Sequence, residues 1–184
     1  TKIEYGKIKV SFFRTIHSIF DSIGIVLETP MGNIVHTGDY KIDYAPIDGK
    51  KMDLQRVAQI GNQGVILLIS DSTNAEKEGM SMSEADVAKH LEREIYQSTG
   101  LTVVSSFASS LPRVQSVFKI AKNLNKKILI LGKSMEKNIK LAKGLDYLDI
   151  DEKIMITTKQ FEDIDRSKVL ILATGAQGEL LAAL

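Results

Sequence analysis

The chain contains no cysteine. That absence excludes disulfide staples and the thiolate ligands of a structural zinc site. It fits a reducing compartment, so a cytoplasmic protein is expected. No apolar run approaches the roughly 20 residues of a membrane-spanning helix, and no membrane association is expected. The first residues, Thr1-Lys-Ile-Glu-Tyr5, are not a signal sequence. A large excess of charge of one sign is also missing: the net charge is +1, which by itself does not announce a nucleic-acid binder. There is no G-x-G-x-x-G fingerprint, no internal repeat and no low-complexity segment, so no dinucleotide is implied.

What is present is ordinary for a globular protein. The chain has 184 residues, 43% of them hydrophobic and 26% charged, enough for one good core or two small ones. It begins without Met close to a strand and stops as a helix is starting at Gly178–Leu184, so it reads as a piece of a longer protein. The charges are unevenly spread. Lys119, Lys122, Lys126, Lys127, Lys133, Lys137, Lys140 and Lys143 face a single acid, Glu136, over residues 119–143. Acids then dominate residues 146–165. Such polarity can make a basic face that neutralises phosphates; the alternative is a pair of solvated helix faces.

Two halves differ in pattern. The first is β-rich: Lys7–Phe13, Ile23–Thr29 and Asn33–His36 are short apolar runs, with a hairpin turn at Pro30–Asn33. A helix is expected over Met52–Ile60. Val65–Ser70 is an uninterrupted apolar run, which predicts a strand buried on both faces. From residue 80 onward, helix and strand alternate. Helices are expected at Ser83–Gln97, after Pro112 and at Ser134–Lys143. Strands are expected at Leu101–Phe107, Ile128–Leu131, Lys153–Thr157 and Val169–Ala173. That alternation predicts a mostly parallel, doubly wound sheet. The boundary falls in the polar stretch 76–82, giving domains 1–78 and 79–184.

Candidate chemistry sits at strand ends. His17 follows a strand. Asp39 follows Thr37-Gly38, where glycine permits a sharp turn. Asp71 ends the most apolar strand, a common place for a site residue in α/β proteins, although turn capping explains it equally well. Ser105, Ser106, Ser109 and Ser110 precede Arg113 at a helix start, either as a phosphate-binding loop or as helix caps. Gly175-Ala-Gln177-Gly178 could let a phosphate approach the backbone. His36 reads as a strand residue near the site, and His90 as a helix-surface residue.

Three longer strings carry a resemblance: Phe12–Gly24 around His17-Ser-Ile-Phe-Asp-Ser22, Thr29–Asp43 around His36-Thr-Gly-Asp-Tyr-Lys41, and Ser70-Asp-Ser-Thr-Asn-Ala-Glu76. Phe107-Ala-Ser-Ser-Leu-Pro-Arg113, Leu131-Gly-Lys-Ser-Met-Glu136 and Ala173-Thr-Gly-Ala-Gln-Gly-Glu179 extend it. Together they closely resemble the ribonuclease J family, metallo-β-lactamase-fold nucleases of the β-CASP group. The resemblance implies an α/β protein: a partial metallo-β-lactamase αββα domain followed by a β-CASP domain with a mostly parallel, doubly wound sheet.

The same resemblance implies a zinc-dependent ribonuclease, endonuclease and 5′-3′ exonuclease, acting in RNA processing and decay. His17 is then a zinc ligand, Asp39 the carboxylate bridging two zinc ions, and Asp71 the acid behind them with a catalytic role. Ser106, Ser109, Arg113, Lys133, Ser134 and Gln177 are the implied RNA contacts. Two cations about 4 Å apart would clamp the attacked phosphate. The implied partners are RNA and a second subunit, either another copy or a paralogue. Departures from the family pattern are Phe20, where a proline is familiar, and Pro112, where a histidine is common. The histidine-rich motif of this family is expected upstream of residue 1, and its later histidines beyond Leu184. This leaves an alternative reading, a catalytically weak or inactive paralogue that binds RNA or an active partner. As an isolated piece, the chain is expected to be inactive and to bind zinc weakly.

Overall fold

The computed structural model describes residues 2–175. Gln177 and the expected C-terminal helix lie outside the described residues. The chain divides into two compact units, Thr1–Ser83 and Glu84–Leu184.

In the first unit, β1 (Lys2–Tyr5), β2 (Ile8–Arg14), β3 (Ile23–Thr29) and β4 (Gly32–His36) form an antiparallel meander. β5 (Val65–Ile69) adds beside β4 in parallel. Between β4 and β5 runs helix α1 (Leu54–Asn62), whose N-terminus is capped by the Asp53 carboxylate accepting from the Arg56 amide. Side chains alternate along the strands. Phe13, Val26 and Val35 therefore share one face, and they pack with Ile60 of α1, Met52 and Val57.

One expectation fails here. β5 is not buried on both faces. All five of its side chains are exposed, from 38% at Val65 to 60% at Leu68. An apolar run reports a capacity for burial, not the presence of covering layers. β5 lies at the end of the strand order and packs on β4 along one edge only, among the described residues.

The second unit holds α2 (Glu84–Gln97), β6 (Thr102–Ser105), α3 (Leu111–Asn123), β7 (Lys127–Leu131), α4 (Lys133–Gly144), β8 (Met155–Ile156), α5 (Thr158–Glu162) and β9 (Val169–Ala173). Its sheet has the order β6-β9-β7-β8, with every pairing parallel. The chain steps one way from β6 to β7 to β8, then reverses to insert β9. With right-handed crossovers that reversal puts helices on both faces. Phe161 of α5 accordingly packs on the face bearing Leu129, Ile171 and Ala173. Ile128, Leu170 and Leu172, on the opposite face, are fully buried. The strand expected at Lys153–Thr157 is only the pair Met155–Ile156, because a 3-10 turn capped by Asp151 occupies Glu152–Ile154.

Candidate functional site

β2 and β4 both run antiparallel to β3, and β5 runs parallel to β4. The C-terminal ends of β2, β4 and β5 therefore point the same way. His17 lies just beyond β2, Asp39 just beyond β4 and Asp71 just beyond β5. β3 intervenes, so the ends that bear His17 and Asp39 belong to alternate strands rather than neighbours. The loops close the distance: His17 Nε2 is 3.5 Å from Asp39 Oδ2. All three side chains line one cleft of about 610 Å³, together with Tyr40, Lys41 and Thr73.

Local sequence explains this convergence. Thr15 donates its amide to the Ser22 carbonyl at 3.0 Å and its hydroxyl to Ser22 Oγ at 2.9 Å, closing the loop that carries His17. Gly38 has φ +61, and a side chain there would sit 3.1 Å from the Ile23 carbonyl oxygen; glycine fits on both counts. Its amide donates to His36 Nδ1 at 2.9 Å, which places His36, expected near the site, as a brace of the turn. Thr37 is buried. Its amide donates to the Ile69 carbonyl at 3.0 Å, and its Oγ1 accepts the Asp71 amide at 3.0 Å. The Lys41 amide donates to the Ile16 carbonyl at 2.8 Å. Four backbone segments are thus laced together around the cleft.

Asp71 accepts the Thr73 amide at 2.8 Å and the Tyr40 amide at 3.3 Å. The Thr73 amide first, then its hydroxyl, then the Tyr40 amide hold the Asp71 carboxyl below its ordinary value of 3.8; partial desolvation opposes them and the charge of His17 helps slightly. A carboxyl depressed in the folded state adds stability above pH 3.8, and that stability is lost as the pH falls through the lower folded value. Thr73→Val keeps the amide and removes the hydroxyl. The Asp71 midpoint, followed by NMR titration, is expected to move up toward 3.8. An unmoved midpoint would show that the hydroxyl contributes nothing.

Donor chemistry decides what the cleft could hold. An imidazole nitrogen and a carboxylate oxygen both suit zinc. With bonds of about 2.1 Å, two ligands of a tetrahedral zinc lie about 3.4 Å apart, close to the 3.5 Å observed. Two corners of a shell fit. A closed shell does not: among the described residues, no group of three or more His, Cys, Asp or Glu side chains is placed to hold a metal ion.

The second unit carries the other candidates. β6, β9 and β7 are parallel, so Ser106, Thr174 and Lys133-Ser134 follow strand ends on one edge of that sheet. Ser106 is buried, with its amide donated to the Ala173 carbonyl at 3.0 Å. Ser109, Lys133 and Ser134 are exposed. Ser110 occupies the N-cap of α3 without a side-chain capping bond, and Gly132 occupies that of α4. Arg113 is committed elsewhere: its Nη2 lies 3.1 Å from Glu84 Oε2. The lysine cluster is likewise only partly a free basic face. Lys126 donates to the Ser167 carbonyl, Lys127 to the Lys153 carbonyl at 2.9 Å, and Lys143 pairs with Glu152. Lys133, Lys137 and Lys140 are exposed along α4. His90 is exposed on α2.

The reading of strand-end residues singled out His17, Asp39 and Asp71, which line one cleft. It missed Lys41, Thr73 and the segment 77–81 that lines the same cleft. Asp71-Ser-Thr73 had a usable signal, since aspartate two residues before an amide is the pattern of an Asx turn.

Comparison with known proteins gives the likenesses of the chain. Residues 99–184 match the family model for the ribonuclease J β-CASP domain. The chain is 44% identical over 184 residues to Ribonuclease J of Thermus thermophilus, covering 100% of this chain and 32% of that protein. It is 40% identical over 182 residues to Ribonuclease J2 of Bacillus subtilis, covering 99% of this chain and 33% of that one. A crystal structure of a protein of unknown function from Enterococcus faecalis V583 shares the fold, with a TM-score of 0.64 at 13% identity, over 94% of this chain and 43% of that chain. The chain spans about a third of the length of the curated relatives it matches, and over that third it is similar to ribonuclease J.

Proposed function

We propose that the chain is part of a metal-dependent ribonuclease that cleaves RNA internally and from the 5′ end, in RNA processing and decay. The convergence of His17, Asp39 and Asp71 in one cleft supports this reading most directly. On this reading, the first unit is part of a metallo-β-lactamase domain. His17 Nε2 and Asp39 Oδ2 would be zinc ligands, completed by residues outside this chain. Zinc, when bound, supplies Lewis acidity toward a phosphate oxygen. The chain's own contribution is placement. The Thr15–Ser22 loop fixes the imidazole, Gly38 fixes the Asp39 turn, and Asp71 stays ionised to hold the Tyr40 and Thr73 amides in register beneath it.

The test is cleavage of 5′-monophosphorylated single-stranded RNA by the full-length protein. Mononucleotides and internal fragments are both expected. Chelation should abolish both, and zinc should restore them. Persistent cleavage after complete metal removal would sink the reading. A second reading is a paralogue that binds RNA or an active partner without cleaving. The presence of only two paired donors among the described residues favours it. It predicts RNA binding with no product at any metal concentration.

RNA binding can be tested separately. Lys133, Lys137 and Lys140 recur at i, i+4 and i+7 on the exposed side of α4. If they neutralise phosphates, changing all three to alanine should make the plot of log affinity against log salt shallower, by about 0.7 for each phosphate no longer neutralised. Lys126→Ala and Lys127→Ala should leave that slope alone, because those ammonium groups are held by backbone carbonyls. Equal slopes for the α4 triple variant and the parent would make the stripe a solvated face only.

A further inference from the structure

The cleft has one wall that little burial supports. Residues 76–82 are exposed, with Met80 at 83%, yet Lys77, Glu78, Gly79, Met80 and Ser81 line the space that holds His17, Asp39 and Asp71. Met80 and Ser81 also line an adjoining cleft with Lys41. Something must keep this segment in place.

The Asp43 carboxylate is fully buried, with a side chain 0% exposed. A carboxylate so buried requires partners. It accepts the Ala45 amide at 2.9 Å on Oδ1, and Lys41 Nζ lies 3.4 Å from Oδ2. The same Nζ is 3.5 Å from the Met82 carbonyl oxygen. The Lys41 amide meanwhile holds Ile16, next to His17. One residue therefore joins the His17 loop, a buried anchor and the end of the exposed wall.

We propose that Lys41 is a positioning residue that anchors segment 77–82, through buried Asp43, as a fixed wall of the cleft. A pinned cation on an exposed carbonyl does what apolar packing cannot do for a segment with no buried side chain. Its consequence for cleavage rests on the ribonuclease reading: a fixed wall restricts where an RNA chain lies relative to His17 and Asp39. The anchoring itself is a property of this chain alone.

The absence of cysteine makes the test clean. A nitroxide attached at Ser81→Cys reports the mobility of the wall, and one at His90→Cys on α2 serves as the control. Lys41→Met is expected to raise the mobile fraction at Ser81→Cys by about twofold or more and to leave His90→Cys unchanged. Lys41→Arg keeps the cation and should preserve the parent spectrum. Lys41→Gln is the deciding variant should Lys41→Met fail to fold by circular dichroism, and it too should loosen the wall. An unchanged Ser81→Cys spectrum in the folded Met or Gln variant overturns the proposal. So does loosening of both labels together.

In the full-length protein, Lys41→Met should raise the KM for RNA by about three- to tenfold with metal content unchanged, and Lys41→Arg should recover it. Should the parent protein cleave no RNA, the ribonuclease reading fails while the spectra still decide the anchoring.

Discussion

Asp39→Ala in the full-length protein is expected to reduce RNA cleavage by about a thousandfold or more, which corresponds to roughly 4 kcal/mol of barrier. On the proposed reading, Asp39 is the carboxylate that would bridge the metal ions and offset their charge. It sits at the turn where Gly38 aims the chain off β4, and its Oδ2 is 3.5 Å from His17 Nε2. Removing it would take away that proposed ligand and leave the backbone lacing intact, because the bonds of Thr37, Tyr40 and Lys41 do not use the Asp39 side chain. The variant should therefore fold normally by circular dichroism and lose bound zinc when metal content is measured. Asp39→Asn should fall nearly as far, since a neutral amide cannot offset cationic charge. Cleavage by Asp39→Ala within about tenfold of the parent, at unchanged zinc content, would remove Asp39 from the site.

The site was legible where a residue type and a backbone constraint coincide. Thr37-Gly38-Asp39 announces a turn that aims a carboxylate, and Gly38 does adopt the positive φ that the turn needs. Strand direction was legible as well, because the hairpin at Pro30-Met31 forces β3 and β4 antiparallel and leaves β2 and β4 co-directed. The wall at 77–81 was not legible. It has no periodicity, and its place depends on Lys41, some forty residues earlier in the chain. The lysine cluster stayed ambiguous for a related reason. A count of charge says nothing of partners, and the carbonyls that hold Lys126 and Lys127 belong to residues 167 and 153. Arg113 is the same case: its partner Glu84 is 29 residues away and leaves no local trace.

The apolar run of β5 shows a limit of a different kind. Val65–Ile69 has the composition of a strand covered on two sides, and the composition is right about what those side chains can do. Their 38% to 60% exposure goes with a strand that pairs with β4 along one edge only, among the described residues. Alternation, by contrast, identified the second unit well. Ile128–Leu131 and Val169–Ala173 are buried strands there, because the helices and strands that cover them lie within the same unit.

Gly24 and Phe13 should show strong coupling when both are changed. The two residues face each other across β2 and β3. A Cβ built on Gly24 would lie 2.1 Å from Phe13 Cζ and 2.5 and 2.6 Å from its Cε atoms, so the ring lies flat over the glycine. Phe13 is 4% exposed and packs in the cluster with Val26, Val35 and Ile60, which leaves it little room to swing aside. Gly24→Ala is therefore expected to destabilise the first unit by about 1–3 kcal/mol, the usual cost of overpacking. Phe13→Leu alone should cost about 1–2 kcal/mol through the space it opens. Together they should cost less than the sum by about 1 kcal/mol or more, since the smaller side chain vacates the place that the new methyl needs. Urea titration followed through amide signals of β2 and β3 reads this unit separately from the other. Strict additivity would mean that the ring is not the obstacle, and that Gly24 is required for some other reason. The same pair sets the packing of β2, whose C-terminal end carries the His17 loop. On the proposed reading, Gly24→Ala in the full-length protein should accordingly weaken zinc retention as well as stability, and Phe13→Leu should restore part of both.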